Sequence, residues 1–358
     1  MTKFTVYLLL FFNCITAYPQ KDNTGITVMT RMDSIDAFSR KVTYKNSIER
    51  LSSDLTKKYD TDIEKARSIF IWITENIAYD YEFVNKHKKI KPPKYKKNCD
   101  RSKVYREWED KLLMKVIHRK KAICDGYARL FKRLCEHGGI QCSMIAGYTK
   151  QMPKQVGKMG RQDHAWNAVI LDGKCYFLDA TWASGYCTIN RKGKLTKFVK
   201  DYDDFYWLAK ADKFHRNHFP KDKEWLNHVP YTKEQYRDIA WVETDVLNNL
   251  EIVEPQTGVL NAKVGDTIHF KLNYSDPVKE IQIATNVYDI QDIYDDFSND
   301  EEKEGFREEE LLQYKKSVIP YEKKQDDLFE FDYVIDNKSI RFIDIYFDYF
   351  RIYFSFFN

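Results

Sequence analysis

Apolar residues recur with helical spacing after Cys124. Counting from this cysteine, they return every three or four positions and stop at Gly138-Gly139, a pair that typically ends a helix. The pattern predicts a helix of about 14 residues with one apolar face and with Cys124 at its N-terminal end. An earlier stripe follows Thr61-Asp-Ile-Glu64, which has the sequence of a capping box. It predicts a second helix, with these apolar positions: Ile63, Ala66, Phe70, Ile73 and Ile77.

Two β-prone segments, residues 164–171 and 174–182, flank Asp172-Gly173. This dipeptide is the strongest short signal for a two-residue hairpin turn. If the two residues form the turn, Leu171 pairs with Lys174, and each further pair lies one step outward on both strands. The sequence therefore predicts an antiparallel hairpin with a defined register.

This register brings a histidine and an aspartate close to each other. His164 pairs with Thr181, and Asp179, two positions along the strand, points to the same face as His164. The two residues are then diagonal neighbours, about 7–8 Å apart at the backbone, which a histidine–carboxylate hydrogen bond can span. A shift of one residue would put them on opposite faces, so the prediction depends on the register.

The C-terminal part of the chain has a different pattern. After about residue 250, Pro and Gly residues separate short alternating segments such as 267–274 and 329–335. This pattern predicts a small β-rich domain, of which a sandwich is one form. The aromatic tail, residues 343–357, has two interpretations: a terminal core strand or an aggregation-prone edge strand.

The overall charge argues against one class of partner. The chain of 358 residues has a formal net charge of +4, which is close to balance, so no nucleic-acid partner is predicted. Locally the charge is uneven: residues 86–121 contain 15 Lys and Arg against 4 Asp and Glu, and residues 289–310 contain 11 Asp and Glu against 2 Lys and Arg. The basic run is either a solvated loop, or a lid or guide for acidic substrates beside Cys124.

The first residues have the order of an export signal. Lys3 precedes an apolar run, residues 4–12, and Ala17 offers a small residue for cleavage. We therefore expect cleavage near Ala17 and a secreted or periplasmic protein. Lipid attachment at Cys14 is the disfavoured alternative, because Asn13 fits such a site poorly. The apolar run is too short for a confident membrane span, so none is expected in the mature chain.

The spacing of cysteine and histidine gives little support for a disulfide framework or a metal site. Without the leader cysteine, and with Cys124 reserved as a thiol, five cysteines remain, an odd number that cannot all pair. A bridge between Cys135 and Cys142 stays open. His215 and His218 have no nearby cysteine partner, and we expect no metal and no cofactor.

Cys124, His164 and Asp179 have the residue types of a nucleophile, a base and an orienting acid. A thiol attacks as the thiolate, which the positive end of a helix favours, and helix-end N–H groups can stabilise an oxyanion. Each residue alone has a plain structural explanation, such as a buried cysteine or a strand-end cap. Their combination favours catalysis.

Four further residues are candidates for oxyanion stabilisation or substrate positioning. Gly126 would leave room for close approach of a substrate backbone. The other candidates are Asp125, Trp72 and Trp166.

The order of cysteine, helix, strand, histidine, hairpin and aspartate resembles the transglutaminase-like superfamily, a branch of the papain-like cysteine enzymes. Residues 66–80 resemble the helix that precedes the cysteine in that family, and residues 205–220 resemble a segment of its kyphoscoliosis-peptidase-like branch. The resemblance implies that Cys124 is the nucleophile, His164 the base and Asp179 the orienting acid.

Asp125 departs from the classical animal members of that family, which carry Trp directly after the cysteine. No acidic cluster in this part of the sequence has the spacing of a calcium loop either. The resemblance therefore implies the broader bacterial or peptidase-like branch rather than a calcium-dependent cross-linking enzyme.

These observations predict four regions: a signal peptide at 1–17, a leader and helix at 18–60, a transglutaminase-like catalytic domain at 61–245, and a β-rich domain at 250–358. The expected fold class is α+β, with the cysteine helix packed on an antiparallel sheet that carries His164 and Asp179.

The expected activity is thiol acyl transfer on a peptide or protein substrate through a thioester. Water as the acceptor would make the enzyme a peptidase or amidase, and a lysine amine would make it a cross-linker; the sequence leaves both open. The alternative is an inert protein-binding or envelope-adhesion module with the same fold. The oligomeric state also stays open.

Overall fold

The computed structural model of the chain describes residues 25–190, 192–287, 317–323, 327–348 and 350–356. The predicted signal peptide at 1–17 and the acidic run at 289–310 lie outside the described residues. The chain divides into two compact units, one comprising Met1–Ile145 and Ala165–Ala211 and the other Ala146–His164 and Asp212–Asn358. Among the described residues, no helix is both long and apolar enough to cross a membrane.

The first unit carries most of the helices. They are α1 (Gly25–Ser39), α2 (Ile48–Thr56), α3 (Asp62–Asn76), α4 (Tyr81–Asn85), α5 (Arg101–Arg119), α6 (Cys124–His137) and α7 (Ala180–Ala183). Both predicted amphipathic helices are present as α3 and α6. The carboxylate of Glu64 accepts hydrogen bonds from Thr61 at the start of α3, as the capping-box sequence predicts.

Helix α6 buries the face that the periodicity predicts. Its apolar stripe includes Leu130, Phe131 and Leu134, each fully buried. Phe131 packs edge-to-face against Phe70 of α3, with 6.3 Å between the ring centres. The two amphipathic helices therefore share one core.

The strands between residues 78 and 200 are interspersed with these helices. They are β1 (Ala78–Tyr79), β2 (Lys121–Ala122), β3 (Cys142–Thr149), β4 (His164–Leu171), β5 (Lys174–Leu178), β6 (Gly185–Ile189) and β7 (Leu195–Lys200). β1 and β2 pair in parallel, whereas β6 and β7 form an antiparallel hairpin.

The β4–β5 hairpin has the predicted register, because Leu171 pairs with Lys174 and the pairing continues to Asn167 and Leu178. Asp172 and Gly173 both have positive φ, at 49° and 72°, as a type I′ turn requires. The predicted continuation of the second strand to residue 182 is wrong. β5 ends at Leu178 and α7 follows, so a pairing of His164 with Thr181 is also wrong.

The second unit contains α8 (Ala211–Phe214), α9 (Lys233–Asp238) and β8 (His218–Pro220), which pairs with the end of β3. Ala211, the first residue of α8, belongs to the first unit. The remaining strands are β9 (Trp241–Val242), β10 (Leu250–Glu254), β11 (Val259–Leu260), β12 (Thr267–Tyr274), β13 (Ile281–Thr285), β14 (Ser317–Val318), β15 (Glu322–Lys323), β16 (Leu328–Val334), β17 (Phe342–Phe347) and β18 (Phe350–Phe356).

These strands form two sheets, in the orders β10-β12-β16-β15 and β11-β18-β17-β13-β14. In the second sheet, β9 also pairs with β18. Aromatic side chains join the sheets: Phe270 of β12 lies 5.3 Å from Phe354 of β18 between ring centres. The α+β class with a strand-rich C-terminal region is thus confirmed. The aromatic tail supplies β17 and β18, which lie inside their sheet, so the core-strand interpretation is correct and the edge-strand interpretation is wrong.

Two side chains anchor the loop that precedes His164. The ammonium of Lys150 is buried and donates to the carbonyl oxygens of Tyr236, Arg237 and Ile239, at 2.9, 3.1 and 2.8 Å. Burial lowers the pKa of Lys150, to about 7, whereas three acceptors favour its charged form. The side-chain amide of Gln155 donates a hydrogen bond to Thr149 O, which joins the loop to the end of β3.

Candidate active site

Cys124 is the first residue of α6 and is 9% exposed. The N-cap residue, Ile123, has no side-chain acceptor, so no side chain caps the helix there. The positive end of the helix dipole and the first N–H groups of the helix are therefore directed at the segment that carries the thiol. This is the environment that the sequence predicts for a nucleophilic cysteine.

Asp125 is held within its own helix. Its carboxylate accepts two hydrogen bonds from Arg129, at 2.7 and 3.1 Å, and Arg129 also donates to Glu109 of α5 at 2.8 Å. The contacts give Asp125 a structural role in joining α5 and α6. A role in oxyanion stabilisation or substrate positioning stays a prediction.

Gly126 has a packing explanation that the sequence does not reveal. A Cβ atom at this position would lie 2.8 Å from Cβ of Ala122 and 3.2 Å from Cγ2 of Val116. The close approach is therefore made by the protein itself, from β2 and α5, and not by a substrate on that side of the glycine.

Gly126→Ala is expected to destabilise the fold by about 1–2 kcal/mol. Overpacking costs about 1–3 kcal/mol, and the 2.8 Å contact puts this site at about 2–3 kcal/mol, which outweighs the gain in helix propensity of about 1 kcal/mol. Urea unfolding measures the difference. Gly138→Ala is the matched control, because there the nearest atom is the methyl group of Thr56 at 3.3 Å. Equal stability of the two variants would contradict the packing explanation.

His164 begins β4 and is buried at 7% exposure. The preceding residue, Asp163, is fixed because its carboxylate accepts from N–H and hydroxyl of Thr149, at 3.1 and 3.0 Å. Burial raises the pKa of Asp163, and the hydrogen bonds from Thr149 oppose that rise. The backbone that positions the histidine is thereby held on the β3 side of the loop.

Asn167 joins the strand of the histidine to the helix of the cysteine. It is 1% exposed, and its Nδ2 donates to the carbonyl oxygens of Ala128 in α6 and Ser143 in β3, at 3.0 and 3.2 Å. Ala128 is one helical turn after Cys124, and Asn167 is three residues after His164. Buried amides in such positions specify how elements pack, and sequence reasoning missed this one because its two closest partners are backbone atoms.

Asp179 follows β5 directly and is 1% exposed. Its Oδ1 accepts from the N–H groups of Thr181 and Trp182, at 2.8 and 3.2 Å, so Asp179 is the N-cap of α7. Its own N–H donates to Tyr206 O at 3.0 Å. The cap explains why the predicted strand stops here, because the following N–H groups turn toward Asp179 and leave the ladder.

His218 is a residue that sequence reasoning considered only as half of a weak metal pair. It is fully buried, its ring centre lies 5.5 Å from that of His164, and it stacks on Phe214 at 4.2 Å. Its Nδ1 is 2.6 Å from Oδ1 of Asn217, an acceptor, which assigns the proton to Nδ1. The signal available in the sequence was the dense group of aromatic residues around it.

The histidines also bear on metal binding. Burial lowers the pKa of His215 to about 3, and its Nδ1 is hydrogen-bonded to His218 O at 2.9 Å, which ties this ring to its own segment. His164 and His218 carry ring nitrogens that a metal ion could use. The absence of a metal stays a prediction.

The two tryptophan candidates are both buried in the core. The indole N–H of Trp72 donates to Val42 O at 2.8 Å, which fastens the segment between α1 and α2 to α3. Trp166 lies on β4, two residues after His164. Trp72 thus has a structural role, and substrate positioning by either residue stays a prediction.

The sequence profile described as "Transglutaminase-like superfamily" matches residues 49–182, a range that contains Cys124, His164 and Asp179. The chain belongs to the transglutaminase-like superfamily. The family resemblance inferred from the motifs is thereby confirmed.

Two relatives match a larger part of the chain than this profile does. Human "Kyphoscoliosis peptidase" is 31% identical over 258 residues, which cover 70% of this chain and 35% of that protein. Drosophila melanogaster "Hillarin" is 28% identical over 205 residues, covering 54% of this chain and 22% of that protein. The match to this chain thus spans about a third or less of these relatives.

Among solved structures, a crystal structure described as a TGase has 19% sequence identity and a TM-score of 0.26. That match covers 52% of this chain and 39% of the other.

Cys99, Cys135, Cys142 and Cys187 are free thiols, so the possible bridge between Cys135 and Cys142 does not form. Burial raises the pKa of Cys135 well above its usual range, and raises that of Cys187 to about 11. Neither thiol therefore has the environment of a nucleophile.

Proposed function

We propose that this chain is an exported thiol enzyme that uses Cys124, His164 and Asp179 to transfer the acyl group of a peptide or protein substrate. The observation that carries the proposal is the position of Cys124 at the uncapped start of α6, a helix that Asn167 joins to the strand beginning with His164. Membership of the transglutaminase-like superfamily supports an enzyme of the cysteine peptidase or acyltransferase type.

In the proposed mechanism, His164 takes the proton of the Cys124 thiol, and the thiolate attacks the carbonyl carbon of a carboxamide or peptide bond. The first N–H groups of α6 stabilise the oxyanion. As the C–N bond breaks, His164 returns the proton to the leaving amine, and a thioester remains on Cys124. Asp179 keeps the imidazole oriented.

The acceptor of the thioester decides the class of reaction. Water, deprotonated by His164, releases a carboxylic acid and regenerates the thiol, which is peptidase or amidase chemistry. A lysine amine would instead form a new amide and cross-link two proteins. One relative is named a peptidase, which favours water. Action outside the cytoplasm rests on the signal-like sequence at 1–17.

The test is labelling of the purified protein with a thiol-reactive probe across pH, with the labelled residue identified by mass spectrometry. We expect Cys124 to label rapidly below pH 7, where an ordinary thiol, with a pKa of about 8.5, is almost fully protonated and labels slowly. In His164→Ala, Cys124 should label more slowly. Cys124→Ala is the control that identifies the site. Labelling with an ordinary thiol profile that ignores His164 would instead favour an inert binding module.

A further inference from the structure

A basic surface precedes the cysteine helix in the first unit; two of its cations, Lys86 and Arg119, pair with Glu82 and Asp80. We define the basic surface as the exposed Lys and Arg side chains of residues 86–121, a run with 12 Lys and 3 Arg. It comprises a segment without regular secondary structure that contains Pro92-Pro93, then α5 and β2. The run ends three residues before Cys124.

Three of the four carboxylates of this run are already engaged. Glu109 pairs with Arg129 at 2.8 Å and with Arg133 at 2.6 Å, and Asp110 also pairs with Arg133. Asp100 caps the start of α5 by accepting from Lys103 N. Glu109 and Asp110 of α5 thus contact the arginines of α6 and do not neutralise the outer face of the helix, where Glu107 is the one exposed carboxylate of α5.

Many cations of the basic surface have no opposite charge beside them. In the part of the chain that the structure describes, no ion pair involves these exposed residues: Lys94, Lys96, Lys97, Lys103, Lys111 and Lys115. Clustered like charges repel one another and reduce stability. Exposed apolar groups lie among them, since Tyr95, Tyr105 and Met114 are 42, 37 and 44% exposed.

We propose that the basic surface docks an acidic segment of a polypeptide. Lysine predominates over arginine, and its compact ammonium pairs with single carboxylates without the planar, bidentate geometry by which arginine binds phosphate. The exposed tyrosines and Met114 supply contacts for side chains between the acidic residues. The docking step itself does not depend on catalysis.

The position of the basic surface gives the docked segment a function. Because β2 leads directly into α6, an acidic chain held along α5 is tethered close to Cys124, where its effective concentration is high. The basic surface would then select protein substrates with acidic segments. This second step rests on the proposed function.

The docking test is binding of a fluorescent, Glu-rich 12-residue peptide, measured by anisotropy, with a peptide of the same length in which Gln replaces Glu. The surface variant is Lys94→Glu/Lys96→Glu/Lys97→Glu. The matched control is Lys192→Glu/Lys194→Glu/Lys197→Glu, which makes the same charge change at exposed lysines around the β6–β7 hairpin.

We expect the wild type to bind the Glu peptide at least about tenfold more tightly than the Gln peptide, with binding that weakens as salt is raised. The surface variant should lose about tenfold or more in affinity, and the control should stay within about threefold of the wild type. Equal affinity for the two peptides, or equal loss in both variants, would overturn the proposal. Binding to vesicles with anionic lipid but not to the peptide would replace it with a membrane surface.

Thiol labelling of the same variants separates the two proposals. If the wild type fails to bind the peptide while Cys124 labels rapidly, only the docking proposal fails. If the peptide binds while Cys124 is inert, only the proposed function fails. None of the substituted lysines belongs to the proposed catalytic group, so the surface variant should label at Cys124 like the wild type.

Discussion

Asp179→Asn is expected to slow acyl transfer by at least about 100-fold while the chain still folds. The same change in a Ser-His-Asp triad lowers kcat about 10,000-fold. In the structure Oδ1 of Asp179 accepts the N–H groups of Thr181 and Trp182. The proposed triad therefore needs the second oxygen, Oδ2, as the acceptor for His164.

Asparagine has only one oxygen and cannot serve both purposes. If its oxygen keeps the cap of α7, the amide nitrogen replaces Oδ2 and presents donors where His164 needs an acceptor. If the amide turns, the helix loses its cap, which costs about 1 kcal/mol. Cys-His-Asn enzymes work with an amide in this role, but here the cap competes for the oxygen.

The measurement is the pH profile of labelling at Cys124, which needs no known substrate. At pH 6 an ordinary thiol with a pKa of about 8.5 has about 300-fold less thiolate than a fully ionised one, but its thiolate is intrinsically more nucleophilic. The labelling rate of Asp179→Asn at pH 6 should therefore fall only about tenfold. The clearer signal is an upward shift of the pH at which labelling reaches half of its maximum rate.

Asp203→Asn is the matched control, because Asp203 caps a short helical turn by accepting from Phe205 N and is not part of the proposed triad. It should label like the wild type. A wild-type profile for Asp179→Asn would show that Asp179 is only the cap of α7.

The local features of the hairpin explain why its register could be predicted and its end could not. The positive φ angles of Asp172 and Gly173 are a property of the dipeptide, so the turn and the pairing of Leu171 with Lys174 followed from sequence. The end of β5 depends on a competition between ladder hydrogen bonds and the cap at Asp179. Period-2 patterning does not reveal that competition, so the strand was predicted too long.

The site shows the same division between local and tertiary causes. The helix that begins at Cys124 follows from apolar periodicity and ends at His137, before the glycine pair that predicts its end. The reason for Gly126 lies in side chains from other elements, and the closeness of His218 to His164 depends on packing between segments far apart in the chain. Neither leaves a periodic signal.

Asp344→Ala is expected to have the largest effect on stability, a loss of about 3 kcal/mol or more in the free energy of unfolding. Asp344 of β17 is fully buried and makes a bidentate pair with Arg351 of β18, at 2.7 and 2.8 Å. Removing the carboxylate leaves the guanidinium without this partner between two central strands. The side chain of Arg351 is 20% exposed, and water reaching it limits the cost to the lower end of the usual range of about 3–5 kcal/mol.

Urea unfolding, followed by tryptophan fluorescence, measures this loss. Asp332→Ala removes the exposed partner of His269 in the same unit and should cost less than about 1 kcal/mol. The variant Asp344→Ala/Arg351→Met tests the cause, because it removes both charges. If the cost arises from an unpaired buried cation, the double variant should be more stable than Asp344→Ala alone; if it arises from lost packing, the double variant should be less stable.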